Sequence, residues 1–205
     1  MTSPITRTEK AAATRARVIE SARTLFLAQG YAATTTRQVA AEAGVTERTL
    51  FNIVATKSDL LREVLLTYVF TDNYGPLLQR RDFAPIMAAP TLSQFLISYT
   101  AWVVSLHTRT AQVAEMTRSA AVVDAGAADI WSWGNAQQVK DLLELAKTLQ
   151  QRSWLRPDLQ PAEAARSFAV ISGHETYWRL VVDQRWSPTR YRKWLHRHCA
   201  AELVC

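Results

Sequence analysis

The stretch GVTERTLFNIVATKSDLL, residues 44–61, decides how this chain is read. Gly44 tolerates a left-handed turn, and Thr46 is a residue type that caps a helix by accepting a free backbone N–H. Leu50 and Ile53 follow as apolar anchors, while Thr46, Glu47, Arg48, Thr49 and Asn52 form a polar set. Thr56 and Asp59 stand at capping-box spacing and open a further helix with Lys57 in its first turn. A glycine turn leading into a short polar helix is the second half of a helix-turn-helix. Against that reading stands Phe51-Asn52-Ile53-Val54, which is poor in the polar side chains a DNA surface needs.

Working outward, Thr35 caps a short helix from about Thr36 to Ala43, with Gln38 three residues on. Val39, Ala40, Ala43, Gly44, Val45, Leu50 and Ile53 supply the small and apolar residues that let two helices cross closely. The first helix spans about Lys10 to Gln29, with Val18, Ala22, Leu25 and Phe26 on one face and Gly30 as its stop. Leu60, Leu61, Val64, Leu65 and Tyr68 stripe the helix that Thr56 opens.

A helix-turn-helix places its second helix in the major groove. Arg48 has the reach and donors for guanine, Asn52 for adenine, and a threonine methyl for thymine. Thr34, Thr35 and Arg37 suit phosphate contacts. Lys57 opposes the macrodipole of its own helix, so local stability does not ask for it. Free amides plus a lysine make a phosphate site. The plainer alternative is that Glu47 and Arg48 are ordinary solvated helix residues.

The 205-residue chain is 48% hydrophobic and 20% charged, with six glycines, a balance that favours a folded, helical protein. Its formal net charge is +6, and residues 1–62 hold nine basic against five acidic side chains, or +4. That is the distribution of a basic N-terminal module meeting a polyanion. Two cysteines, Cys199 and Cys205, are too few for a disulfide framework, and no apolar stretch reaches the roughly 18 residues of a membrane helix. A soluble, cytoplasmic protein with no membrane role is expected.

Nearly every remaining segment has helical period. Asn73 to Pro90 carries three prolines and reads as a boundary between modules. Helices are expected from Thr91 to about His107 and from Thr110 to Val123, with a break at Ala125-Gly126, then from Ala128 to Arg152. Pro161 opens one to about Arg185, and Ser187-Pro188 opens the last, to about Leu203.

Arg17 through Leu65 resembles the DNA-binding domain of the tetracycline-repressor (TetR) family. The resemblance falls on Leu25, Phe26, Gly30, Tyr31, Thr35, Val39, Ala40, Ala43, Gly44, Val45, Thr49, Leu50 and Lys57. VVDQRWSPTRYRKWLHRHCAAELV is similar to the last helices of many members, where W-S/T-P opens the final one. The departures are Phe51 in place of a tyrosine whose hydroxyl touches phosphate, Ile53 in place of an aromatic or histidine, and Val54 in place of phenylalanine. Phe51 is expected to keep the packing and lose the hydroxyl's bond, about 1 kcal/mol. The basic residues Arg7, Lys10, Arg15 and Arg17 would offset it.

The resemblance implies an all-α protein of about nine helices. A helix-turn-helix domain would occupy residues 1–56, and a ligand-binding and dimerisation domain residues 57–205. All seven tryptophans lie beyond residue 100. Tyr99 with Trp102, Trp131 with Asn135 and Gln138, and His174 with Tyr177 share helix faces and are candidates for a mostly apolar ligand pocket, although aromatics at such spacing are commonly core. Phe168, Ile171, Val181, Tyr191, Trp194 and Leu195, with Leu203, are candidates for a two-fold seam. A dimer also follows from DNA geometry, since two heads about 34–36 Å apart read successive major grooves.

His196 and Cys199 in HRHC are metal-ligand types on one face, but no second cluster has zinc-like spacing, so no metal or other cofactor is expected. No phosphate loop or nucleophile elbow is present, which argues against an enzyme. The leading expectation is a homodimeric regulator, repressing from a palindromic double-stranded DNA operator until a small-molecule effector releases it. The rival is an oligomeric small-molecule- or partner-binding protein whose DNA head is degenerate.

Overall fold

The computed structural model describes residues 6–70 and 75–202, and the expectations placed on Asn73, Tyr74, Leu203 and Cys205 lie outside them. The described residues form helices and no strand: α1 (Arg7–Gln29), α2 (Thr36–Glu42), α3 (Glu47–Phe51), α4 (Lys57–Leu65), α5 (Ala84–Met87), α6 (Leu92–Ala120), α7 (Ala125–Gln151), α8 (Pro161–Ile171), α9 (His174–Tyr177) and α10 (Pro188–Glu202). Counting α8 and α9 as one interrupted helix gives nine, so the chain is all-α as its periodicity implied. The chain divides into two compact units. One comprises Met1–Tyr68 with Gln112–Trp131, the other Val69–Ala111 with Ser132–Cys205.

The first unit is built on caps. Thr6, Thr35 and Thr56 each form a complete capping box, with Glu9, Gln38 and Asp59 respectively. Thr6 therefore starts α1 three residues before Lys10, and the Thr-x-x-Glu signal for it stands in the sequence. Gly30 and Gly44 take positive φ, 85° and 64°, where a side chain would strain the backbone. Val18, Ala22, Phe26, Val39, Ala40, Ala43, Leu50, Val54, Leu60, Leu61 and Val64 are buried together with the turn residue Tyr31.

Two expected helix boundaries differ. Residues 107–110 do not break a helix: α6 runs unbroken for 29 residues. Its threonines turn inward on their own helix, with Thr100, Thr108, Thr110 and Thr117 each donating to the carbonyl four residues earlier. Nor does Gly126 break the chain, since it lies in the first turn of α7, and residues 121–124 make the connection.

The expected single helix from Pro161 to Arg185 is instead interrupted at Ser172-Gly173. A Cβ on Gly173 would lie 2.3 Å from the Ala169 carbonyl oxygen, so only glycine fits this crossing. The interruption frees carbonyls, and side chains take them up. His107 Nε2 bonds the Ser172 carbonyl at 2.8 Å, and the Thr176 hydroxyl bonds that of Val170 at 2.6 Å. Beyond α9 the chain winds as a wider π-type turn, Trp178–Asp183.

Candidate nucleic-acid interface

The caps that start α2 and α3 fix the polar residues at their ends. Thr46 accepts from the Thr49 backbone at 3.1 Å, and its hydroxyl lies 2.9 Å from that of Thr49. Leu50 is fully buried, which turns the opposite side of α3 outward. Arg48 and Asn52 are exposed on that side. Glu47 is held by Arg37, whose Nε donates to its carboxylate at 3.0 Å. This exposed ion pair adds little stability, but it fixes where Glu47 points.

Lys57 reaches backward from the start of α4. Its Nζ sits 4.3 Å from the centre of the Tyr31 ring and donates to the Ala32 carbonyl at 3.3 Å. Partial burial lowers its pKa from the ordinary lysine value, while the negative charge of Asp124 opposes that shift. The Asp59 carboxylate is spent on the Thr56 cap, and so does not neutralise the lysine. Arg15 is committed differently, to Glu63 at 2.5 Å.

Two expectations for this surface change. Thr34 is buried, and its hydroxyl donates to the Gly30 carbonyl at 2.9 Å while accepting from the Gln29 amide. It closes the turn before α2 and has no surface to offer a phosphate, unlike Thr35, which stays exposed at its cap. Phe51 does not keep an inward packing role either: it is 47% exposed, while Val54 is buried and Ile53 half-buried. The sequence reading took the three as one apolar group, but the helix ends at Phe51 and only Val54 returns to the core.

The second unit has its own polar interior. The Tyr99 hydroxyl donates to Ser172 Oγ at 2.9 Å, and Ser172 Oγ donates to the Phe168 carbonyl at 2.6 Å. Likewise the Tyr177 hydroxyl donates to Thr108, which donates to the Val104 carbonyl. Because the Ser172 carbonyl can only accept, His107 carries its proton on Nε2. Burial lowers the His107 pKa to about 4, so Nδ1 is a bare acceptor. Nδ1 has no hydrogen-bond partner among the described residues, and neither has the buried Tyr191 hydroxyl. The His107 and Tyr191 rings flank Tyr177 at 5.4 and 5.2 Å.

Of the pocket candidates, Tyr99, Tyr177 and His174 are buried around this cluster, His174 bonding Glu175 at 3.0 Å. Trp102 turns elsewhere, donating to Asp82 at 2.9 Å and packing on Phe83. Asn135 and Gln138 are half-buried and outside the network, and Trp131 belongs to the first unit. His107 and Ser172 were missed, since each is recognisable only by a partner 65 residues away. Among the seam candidates, Phe168, Tyr191 and Leu195 are completely buried in the protomer's own core and cannot form an intersubunit seam. Ile171, Val181 and Trp194 remain half-buried, and Val170 and Val182 are the exposed apolar residues beside them, at 70% and 43%. Cys199 is buried, and burial pushes its thiol up to about 12, which leaves it inert rather than a ready ligand beside His196.

Residues 18–64 match the family model described as bacterial regulatory proteins, tetR family. Solved structures share the fold over nearly the whole chain. NalD, the secondary repressor of the MexAB-OprM multidrug efflux pump in Pseudomonas aeruginosa, is 21% identical with a TM-score of 0.72, covering 95% of this chain and 98% of its own. SmeT in complex with triclosan is 17% identical, TM-score 0.73, covering 94% and 92%. A transcriptional regulator from Saccharomonospora viridis in complex with choline is 18% identical, TM-score 0.69, covering 95% and 99%. No curated protein sequence matches this chain. No helix among the described residues is long and apolar enough to cross a membrane.

Proposed function

We propose that the chain is a regulator of the tetR family, whose model residues 18–64 match, and that it is a cytoplasmic, homodimeric repressor that a small molecule releases from a palindromic operator. The observation that carries this reading is the outward face of α3. Leu50 anchors the helix, Thr46 caps it, and Arg48 and Asn52 stand exposed with donors suited to guanine and adenine edges. Arg37, Thr35 and Lys57 flank that face and take the phosphates, while Thr46, Glu47 and Thr49 set the helix start against the backbone. The fold it shares with NalD, a repressor, supports the direction of control. The degenerate-head alternative is disfavoured by the intact caps and by the exposure of Arg48 and Asn52.

The effector site lies in the second unit, around Tyr99, His174 and Tyr177. The choline and triclosan complexes of proteins with this fold support a small ligand. In this chain the buried His107 Nδ1 and the Tyr191 hydroxyl lack hydrogen-bond partners among the described residues, which supports an effector that carries at least one hydrogen-bond donor. Ile171, Val181 and Trp194, extended by Val170 and Val182, supply the two-fold seam. The test is a gel shift on the intergenic DNA beside the gene at low salt. Retardation with a two-fold-symmetric footprint is expected, and Arg48→Ala and Lys57→Ala should weaken it. Unchanged affinity in both variants would remove the head from the function.

A further inference from the structure

Phe51 is the large apolar side chain that the first unit leaves in the open on α3. Its partners in sequence explain neither its chemistry nor its exposure. Leu50 and Val54 on either side of it are buried, so packing is complete without it. On a helix of 3.6 residues per turn, position 51 falls one turn beyond positions 47 and 48 and between them. Phe51 therefore emerges from the same face as Glu47 and Arg48, next to Asn52. Glu47 is tied to Arg37, so it does not fold over the ring.

A phenyl ring has no atom that can bond a phosphate. Among the features a major groove presents, the one it complements is the thymine C5 methyl, the apolar group on the base edges. We propose that Phe51 is a specificity-determining residue that reads a thymine methyl in each half-site, beside the base pair read by Arg48. This inference rests on the DNA-binding reading given above.

Burial of one methyl is worth about 0.8 kcal/mol, which at 1.4 kcal/mol per decade is about fourfold per half-site. The probe is a duplex selected by the wild-type protein from a randomised pool, compared with copies carrying deoxyuridine for thymidine at single symmetric positions. Deoxyuridine keeps every hydrogen-bonding atom and removes only the methyl. One symmetric pair of positions should weaken wild-type binding by about fourfold per half-site, and Phe51→Ala, at an exposed position that leaves the fold intact, should bind both duplexes equally. Phe51→Tyr, which keeps the ring, should retain the discrimination. If the wild-type protein binds every deoxyuridine duplex as tightly as the parent, or if Phe51→Ala discriminates as well as wild type, Phe51 does not read a methyl although the head still binds DNA. If no duplex can be selected at all, the DNA-binding reading itself falls, and this inference with it.

Discussion

Tyr31 and Asp124 meet across 93 residues of sequence: the phenol donates to the carboxylate Oδ2 at 3.0 Å. The other oxygen, Oδ1, accepts from the Ala127 backbone at 2.9 Å and so caps the start of α7. One carboxylate thus serves two elements of the first unit, the turn after α1 and the helix that follows residue 124. Tyr31 in turn carries the Lys57 ammonium on its ring face. Burial first, and then the Asp124 bond, raise the Tyr31 pKa above the ordinary tyrosine value, so the hydroxyl stays a donor.

Removing either partner should therefore cost stability in a coupled way. Tyr31→Phe should destabilise by about 1.5–3 kcal/mol, the range for a hydrogen bond to a charged group. Asp124→Ala should cost about 2–3 kcal/mol, since it removes a cap and leaves a buried hydroxyl unbonded. In the double variant the tyrosine change should cost almost nothing further. Urea denaturation of the four proteins measures this, and strict additivity would show that the two side chains act independently.

Gly126 and Gly173 should both resist substitution, with different remedies. A Cβ at Gly126 would meet Ser58 Oγ at 2.4 Å and Ser58 Cβ at 2.8 Å. Gly126→Ala should cost about 1–3 kcal/mol, and Ser58→Gly should restore much of it because the obstacle is a side chain. At Gly173 the obstacle is the Ala169 carbonyl oxygen itself. Gly173→Ala should cost at least as much, and no side-chain change nearby should rescue it. Thermal melts of the single and paired variants separate the two cases.

These particulars show what local sequence carries and what it does not. The head was legible because its signals are local: Thr35 with Gln38, Gly44 with Thr46, and Thr56 with Asp59 act within three residues of one another, and the structure forms each of them. The interruption at Gly173 was not legible, since helices tolerate isolated glycines. What completes it is His107, which takes a freed carbonyl from 65 residues away. The same holds for the seam and pocket candidates. Periodicity identifies an apolar face on α8 or α10 but not which neighbour covers it, so Phe168, Tyr191 and Leu195 read equally well as intersubunit or as core residues. Phe51 was misplaced because hydrophobicity was taken as inwardness at the last residue of a five-residue helix, where the side chain falls on the outward face with Glu47 and Arg48.

His107 gives the protein a definite response to acid. Its folded pKa is lowered by burial to about 4, against 6.5 for the ordinary side chain. Between those values the unfolded chain binds a proton that the folded chain does not, so stability falls as pH falls. Above pH 6.5 both states are neutral and the residue contributes no pH dependence. The loss should reach about 2 kcal/mol between pH 6.5 and 5, at 1.36 kcal/mol per unit. His107→Gln, which can still donate to the Ser172 carbonyl, should flatten the slope in that window. Urea midpoints at pH 7, 6 and 5 test it, and parallel slopes in the two proteins would assign the acid sensitivity to other groups.

Arg48 and Lys57 should be separable by salt. Lys57 meets a phosphate in the proposed complex, so it contributes released counterions and no sequence information. Lys57→Ala should weaken binding to the selected duplex and to a scrambled duplex by similar factors, and should reduce the slope of log K against log salt by about 0.9 for each head bound. Arg48→Ala should act mainly on the selected duplex, by about 1–3 kcal/mol per half-site, and relax the preference at one base pair. The Arg37–Glu47 pair sharpens the comparison, because Glu47→Ala releases a cation already beside the DNA face. That variant should steepen the salt slope while the selected sequence stays the same. Fluorescence anisotropy from 50 to 300 mM salt gives all three slopes. A Lys57→Ala protein with an unchanged slope would mean that its ammonium stays parked on Tyr31 and Ala32 in the complex as it does in the free protein.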